Sequence, residues 1–136
     1  MAVKFDYENI GNNALGKILR PIAKVTLQSL SEEKDVDIWM IVDTGADFTI
    51  LPRHFSDKLR ISLENDCVKD ATFGVGGSQT IYFCKEKLAA RIGNSTRRIP
   101  LAFFDNNEVP ALLGRLGFLE TFDTEFMKKH VVVFRD

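Results

Sequence analysis

The chain has 136 residues, which is enough for one domain with a single hydrophobic core. Its formal net charge is −1 and its sequence pI is about 6.1, so no broad basic surface indicates binding to nucleic acid or to an anionic membrane. No apolar run has the length of a membrane span, and the charged first residues are not typical of a secretory signal. The sequence therefore predicts a cytoplasmic location.

The first part of the chain predicts an arm followed by a strand. Residues 1–19 show no clear period and include Gly11 and Gly16, so we expect a loosely ordered arm or an irregular edge that could reach a partner subunit. Residues 20–136 are expected to form a single domain. Its first strand is predicted from Arg20 to Leu30, and a polar turn then leads to the next strand.

The next strand ends in a carboxylate. The segment Asp37–Val42 is rich in β-branched and apolar residues, which predicts a strand with a largely buried end. Asp43 follows at once, and an acid in that position is poorly solvated and needs partners. The hydroxyl of Thr44 can brace the turn, and Gly45 lacks the Cβ that would keep a substrate at a distance. Asp43 is therefore a candidate reactive acid. The alternative is an Asp-Thr-Gly turn capped by its own side chain in an unrelated β domain.

A glycine-rich segment follows a short predicted helix over Pro52–Leu59. Residues 72–78 read Thr-Phe-Gly-Val-Gly-Gly-Ser, and their glycines allow a hairpin tip to bend. Taken alone, this segment is better interpreted as an ordinary hairpin turn, because glycines cluster in turns generally.

The rest of the chain predicts more strands and one further helix. Strands are expected over Gln79–Ile92, Arg97–Phe104 and Leu112–Leu113. Residues 114–121 predict a C-terminal helix that buries Leu116 and Leu119, and the closing segment 122–134 predicts strands around Lys128 and Lys129.

The cysteines and histidines give little sign of a special site. Cys67 and Cys84 are too few and too far apart in the sequence to indicate a disulfide scaffold or a metal site, so reduced, partly buried thiols are expected. His54 and His130 have no spacing typical of zinc ligands. We expect neither a metal nor a cofactor.

Three separated features resemble the retropepsin-like aspartic proteases, the family that contains the retroviral proteases and their cellular and bacterial relatives. They are the strand and turn ending in Asp43-Thr44-Gly45-Ala46, the segment 72–78 at the place of that family's mobile flap, and Ala111–Arg115, in which two apolar residues precede glycine and arginine. Their order and spacing agree with the family from about Arg20 to about Phe126. The resemblance implies a mostly β fold, a retropepsin-like closed β-barrel or acid-protease half-fold with one or two short helices, active as a two-fold homodimer.

The resemblance also implies an activity, that of an aspartic endopeptidase. Such hydrolases use two acids about 3 Å apart that share one proton, and these proteases are the standard example of that arrangement. The chain contains Asp-Thr-Gly once, so the implied catalytic pair is Asp43 from each subunit of a homodimer. The implied substrate is an extended peptide or an unfolded protein.

Roles for neighbouring residues follow from the same resemblance. Thr44, Gly45 and Ala46 are expected to support the active site, and Asp47 is expected to form a partly buried, structural ion pair with Arg115. The closing hairpin around Lys128 is the candidate dimer interface. The residues expected to bind substrate are Asp47, Phe48, Gly74, Val75, Gly76, Gly77 and Leu112.

A second interpretation stays open. The same dimeric fold could serve as a non-catalytic module that binds peptides or holds an assembly together, because resemblance in fold raises the odds of proteolysis without showing it.

Overall fold

The computed structural model describes residues 2–74 and 77–136. Within these residues the chain forms fourteen strands, one α-helix and one short 3-10 helix. The strands are β1 (Ala2–Asp6), β2 (Glu8–Asn13), β3 (Gly16–Arg20), β4 (Ile22–Gln28), β5 (Asp35–Val42), β6 (Thr49–Leu51), β7 (Cys67–Gly74), β8 (Gly77–Cys84), β9 (Leu88–Ile92), β10 (Ser95–Ile99), β11 (Leu101–Phe104), β12 (Leu112–Leu113), β13 (Asp123–Met127) and β14 (Val131–Arg135). The α-helix is α1 (Phe55–Lys58), and the 3-10 helix covers Leu119–Thr121.

Most strands belong to one nine-stranded sheet in the order β10-β9-β4-β5-β12-β6-β11-β8-β7. The short strand β12 lies at its centre, parallel to β5 and antiparallel to β6. Among the described residues, β10 and β7 stand at the two ends of this order and do not pair with each other. The mostly β fold expected from the sequence is confirmed.

The core forms because the central strands alternate between apolar and polar residues. Val25 and Leu27 of β4 and Ile38 and Met40 of β5 are buried, while the residues between them are more exposed. These side chains belong to one large apolar cluster that also includes the fully buried Phe103, Phe118 and Phe134. A second, smaller cluster contains the buried residues Ile50, Ile81, Ala102 and Phe104.

A separate three-stranded sheet brings the two ends of the described chain together in the order β1-β14-β13. Val3 and Phe5 of β1 pack against the main core, so this part of residues 1–19 is a regular strand and not a loosely ordered arm. Strands β2 and β3 form a hairpin of their own, in which β2 is wholly exposed. The domain boundary at residue 20 stays a prediction.

Two long predicted strands are each divided in the structure. The predicted strand Gln79–Ile92 ends at Cys84 and resumes at Leu88, where β9 leaves β8 and pairs with β4 and β10. The predicted strand Arg97–Phe104 is broken by Pro100, which has no N–H to donate to a ladder.

Of the predicted C-terminal helix over residues 114–121, only a short 3-10 turn at Leu119–Thr121 forms. The backbone N–H groups of Arg115 and Leu116 donate to the carbonyls of Ala46 and Asp47, and Gly117 has φ of +71°, which interrupts a right-handed helix. Leu116 is consequently 47% exposed, whereas Leu119 is buried as expected.

Within residues 2–74 and 77–136, no helix combines the length and the apolar character that crossing a bilayer requires.

Candidate active site

The candidate acid Asp43 stands at the end of a firmly held strand. The N–H of Val42 donates to the carbonyl of Pro21 at 3.0 Å, and the N–H of Asp43 donates to the carbonyl of Leu113 at 3.1 Å. The end of β5 is therefore bound on both sides, by the residue that precedes β4 and by β12. The side chain of Asp43 is half-buried, so it is neither sealed in the core nor held out in bulk solvent.

A tight turn then aims the carboxylate. Asp43 Oδ1 accepts a hydrogen bond from the N–H of Gly45 at 2.9 Å, and the N–H of Ala46 donates to the Asp43 carbonyl at 3.1 Å. A Cβ on Gly45 would lie 3.2 Å from Asp43 Oδ1, so a larger residue would crowd the carboxylate. The turn thus orients one carboxylate oxygen and leaves the other for further contacts.

Gly114 allows the segment after β12 to touch the segment that follows the Asp43 turn. A Cβ at Gly114 would lie 2.2 Å from the carbonyl oxygen of Phe48, a distance that backbone atoms cannot accommodate without moving. The N–H of Gly114 donates to Thr49 Oγ1 at 3.1 Å, and this bond is buried. Glycine is needed here because the main chains of the two segments touch.

The structure brings Asp47 and Arg115 together. Arg115 Nη2 donates to Asp47 Oδ1 at 2.6 Å, and Nη1 of the same guanidinium donates to the carbonyl of Thr44. The arginine thereby ties the Asp-Thr-Gly turn to the segment after β12. The side chain of Asp47 is 71% exposed in the single chain, so the expectation of a partly buried pair is wrong for the chain on its own.

Two of the expected substrate-binding residues lie on the smaller apolar cluster. Phe48 and Leu112 are half-buried and pack against that cluster together with Phe83, whose ring centroid lies 5.1 Å from that of Phe48. These rings and Leu112 offer apolar surface beside the acid-bearing turn.

The glycine-rich segment is the end of a long hairpin. Strands β7 and β8 pair in register from Cys67 with Cys84 to Gly74 with Gly77, and Gly77 has φ of +99°, a conformation that favours glycine. Val75 and Gly76, which were also expected to bind substrate, lie outside the described residues.

Some residues that build the site gave no clear signal in the sequence. Thr49 sits inside the apolar run Phe48–Leu51, and only the folded chain shows its hydroxyl accepting from Gly114. The carbonyl of Pro21 is a main-chain group, so no residue type in the sequence marks it as an acceptor that holds the end of β5. Among the described residues, no group of three or more histidines, cysteines and acids is placed to hold a metal ion.

A comparison with family sequence models finds a match to the family described as Aspartyl protease over residues 24–116. This span contains the turn at Asp43, the β7–β8 hairpin and the Gly114-Arg115 segment. The chain belongs to the aspartyl protease family. No curated protein sequence matches the chain significantly.

Solved structures show the same fold. A retropepsin-like aspartic protease from Rickettsia conorii superposes with a TM-score of 0.66 at 19% identity, over 98% of each chain. The EIAV protease in complex with the inhibitor HBY-793 superposes with a TM-score of 0.52 at 20% identity, over 71% of this chain and 82% of the other. The fold is therefore retropepsin-like, as the sequence resemblance implied.

Proposed function

We propose that this protein is an aspartic endopeptidase that works as a homodimer, with Asp43 of each copy forming the catalytic pair. The observation that carries the proposal is the braced Asp43-Thr44-Gly45 turn in a chain that belongs to the aspartyl protease family. The sequence contains this triplet once, so a second acid of the same kind must come from a second copy.

The chemistry follows from two carboxylates that are too close to be ionised together. One shared proton keeps one Asp43 neutral and leaves the other charged. The charged carboxylate takes a proton from a water molecule, whose oxygen attacks the carbonyl carbon of the peptide bond, while the neutral carboxyl donates its proton to the carbonyl oxygen. Proton transfer to the leaving nitrogen then allows the C–N bond to break, without a covalent bond to the enzyme.

The surface around the turn supports an approach by a second copy. Thr44 and Gly45 are exposed, and so are the side chains of the Asp47 and Arg115 ion pair behind them. Leu116, next to Arg115, is 47% exposed although it is apolar. A second chain that covers this surface would remove an apolar side chain from water and place the two turns side by side. The β13–β14 hairpin stays a second candidate for the interface.

The β7–β8 hairpin is the proposed flap. Its position after the acid and its glycines near the tip suit a lid that closes on an extended peptide and hydrogen-bonds to the peptide backbone. The apolar surface of Phe48, Phe83 and Leu112 suits apolar side chains of the substrate.

The first test is cleavage of internal peptide bonds in an unfolded protein by the purified chain. Asp43→Asn should abolish cleavage, because an amide cannot take a proton from water. Asp57→Asn is the matched control, since Asp57 is exposed on α1, and it should cleave as the parent does. Equal cleavage by the Asp43→Asn variant would contradict the proposal.

A mixing experiment tests whether two copies share the site. An excess of Asp43→Asn chain, added to a fixed amount of parent chain with substrate in large excess, should lower the activity, because mixed dimers contain one acid. The same excess of Asp57→Asn chain should not lower it. If the Asp43→Asn chain has no effect although differently tagged parent and variant chains co-purify as mixed dimers, each subunit would be catalytic on its own.

The non-catalytic module remains the competing function. A dimer in sedimentation that binds an unfolded protein but leaves it uncut from mildly acidic to neutral pH would favour binding or assembly over hydrolysis.

A further inference from the structure

The two cysteines of the chain lie at the base of the β7–β8 hairpin. Cys67 is the first residue of β7 and Cys84 is the last residue of β8, and the two are direct partners in the antiparallel register. Their sulfur atoms are 3.8 Å apart, and both thiols are free. The predicted hairpin turn over residues 72–78 lies between the two cysteines, but the sequence does not fix the strand register that makes them direct partners.

The backbone at this point has the spacing that a disulfide needs. The neighbouring pair is hydrogen-bonded, since the N–H of Lys85 donates to the carbonyl of Asp66 at 2.8 Å. Bonded and non-bonded pairs alternate along an antiparallel ladder, so Cys67 and Cys84 form a non-bonded pair with Cα atoms about 4.5 Å apart. Disulfides join Cα atoms over a range of about 4.4–6.8 Å, so rotation of the side chains can close the bond without moving the strands.

The two cysteine residues differ in exposure and in what they border. Cys84 is half-buried and lines an open cavity of about 350 Å³, whereas Cys67 is 6% exposed. The polar residues Asn65, Asp66, Lys85 and Glu86 also line this cavity, together with the apolar residues Leu30, Ile61 and Leu88. Of the two cysteines, only Cys84 borders this cavity, so it is the one beside which a small thiol compound can bind.

We propose that Cys67 and Cys84 form a redox site that takes a small-molecule disulfide as its oxidant and closes into a reversible intramolecular disulfide. The Cys84 thiolate attacks one sulfur of the small disulfide, which forms a mixed disulfide on Cys84 and releases one thiol. The Cys67 thiolate then attacks Cys84 Sγ and releases the second thiol. The protein loses two protons and two electrons, and the small disulfide gains them.

The surroundings make this site slow to react. Burial raises the pKa of the Cys67 thiol, and burial followed by the proximity of Cys67 raises the pKa of Cys84. Few of these thiols are ionised near neutral pH, so thiol–disulfide exchange at the pair is slow. The pair therefore responds to the equilibrium ratio of thiol to disulfide around it more than to a rapid oxidation.

The test is equilibration of the whole folded protein with oxidised glutathione, followed by thiol counting and intact mass measurement. The expected product has lost two hydrogens and both free thiols, carries no glutathione, and regains both thiols on treatment with dithiothreitol. A protein that keeps two free thiols, while the urea-unfolded chain oxidises in the same buffer, would overturn the proposal. A stable glutathione adduct on the parent chain would do so as well.

Two single variants test the assigned order of attack. Cys67→Ser should accumulate glutathione on Cys84, because the second thiol that would release it is missing. Cys84→Ser should leave Cys67 largely unmodified, because Cys67 is buried. Faster modification of Cys84→Ser than of Cys67→Ser would overturn the assignment of Cys84 as the entry thiol. This site does not depend on peptidase activity, so its failure and the failure of the proposed function are separate results.

Discussion

Gly114 shows how a missing side chain can define a site. Its Cα lies against the main chain of Phe48, and this contact places the segment after β12 beside the segment that follows the acid-bearing turn. The Asp43 turn depends on that neighbour, because the carbonyl of Leu113, the preceding residue, accepts from the N–H of Asp43.

Gly114→Ala should therefore destabilise the fold. The new methyl group would overlap backbone atoms of Phe48, and we expect a loss of about 3 kcal/mol in the free energy of unfolding, as for a severely overpacked position. Gly45→Ala is the comparison, because its methyl group would meet one carboxylate oxygen at 3.2 Å, and we expect a loss of about 1 kcal/mol or less. Urea denaturation measures both, and equal midpoints for Gly114→Ala and the parent would contradict the close contact.

Thr49 offers a second prediction at the level of one atom. Thr49→Val keeps the shape of the side chain but removes the oxygen that accepts from the buried N–H of Gly114. An unpaired buried donor costs about 1–3 kcal/mol, and urea denaturation should show a loss in that range. Thr96→Val makes the same change at an exposed position of β10 and should stay within about 0.5 kcal/mol of the parent.

At the scale of elements, the sequence predicted best where the pattern was local. The alternation in β4 and β5 and the turn after Val42 depend on neighbouring residues, and these elements are where they were expected. The predicted helix after Leu113 is reduced to the short turn at Leu119–Thr121, because Gly117 takes φ of +71° where its backbone meets the distant Pro100, and a right-handed helix does not allow that φ. The contact between Gly114 and Phe48 joins residues far apart in the chain, and a single sequence does not show such contacts. The pairing of Cys67 with Cys84 depends on the register of the β7–β8 hairpin, which the predicted turn does not fix by itself.

One link between elements depends on pH. Asp136 follows β14 and accepts from Ser95 Oγ and from Arg97 Nη2, each at 2.7 Å, so it ties the three-stranded sheet to β10 of the large sheet. The hydrogen bond from Ser95 and the bond and charge of Arg97 hold the pKa of Asp136 below its ordinary value. The carboxylate therefore adds stability above its unfolded-state pKa, and this contribution is lost as the pH falls through the lower folded-state pKa.

Asp136→Asn should make that dependence visible. At neutral pH the variant should be slightly less stable than the parent in urea denaturation, and the difference should shrink as the pH falls through the folded-state pKa and the parent carboxylate is protonated. Added salt should also reduce the difference at neutral pH, because the ion pair is near the surface. A difference that does not change with pH would mean that the charge of Asp136 makes no contribution.

At the scale of the whole molecule, β1 joins the two sheets through an aromatic contact. The ring of Phe5 lies 5.8 Å from that of Trp39 in β5 and 6.2 Å from that of Phe134 in β14, in edge-to-face arrangements. Aromatic pairs of this kind add to the stabilisation that comes from burial.

Phe5→Ala should cost about 2 kcal/mol in the free energy of unfolding, because the side chain is half-buried and bridges both sheets. Phe126→Ala is the control at a phenylalanine that is 43% exposed on β13, and its effect on the unfolding of the single chain should be smaller. Denaturation at a protein concentration where sedimentation shows monomers separates folding from association. Similar losses for both variants would show that Phe5 does not join the sheets.

The bracing of the Asp43 turn by Pro21 and Leu113 of its own chain has a consequence for assembly. Each half of the proposed catalytic pair is built before the halves meet, so association resembles the docking of preformed bodies more than coupled folding. Dilution should then extinguish cleavage while the far-ultraviolet circular dichroism of the chain stays unchanged.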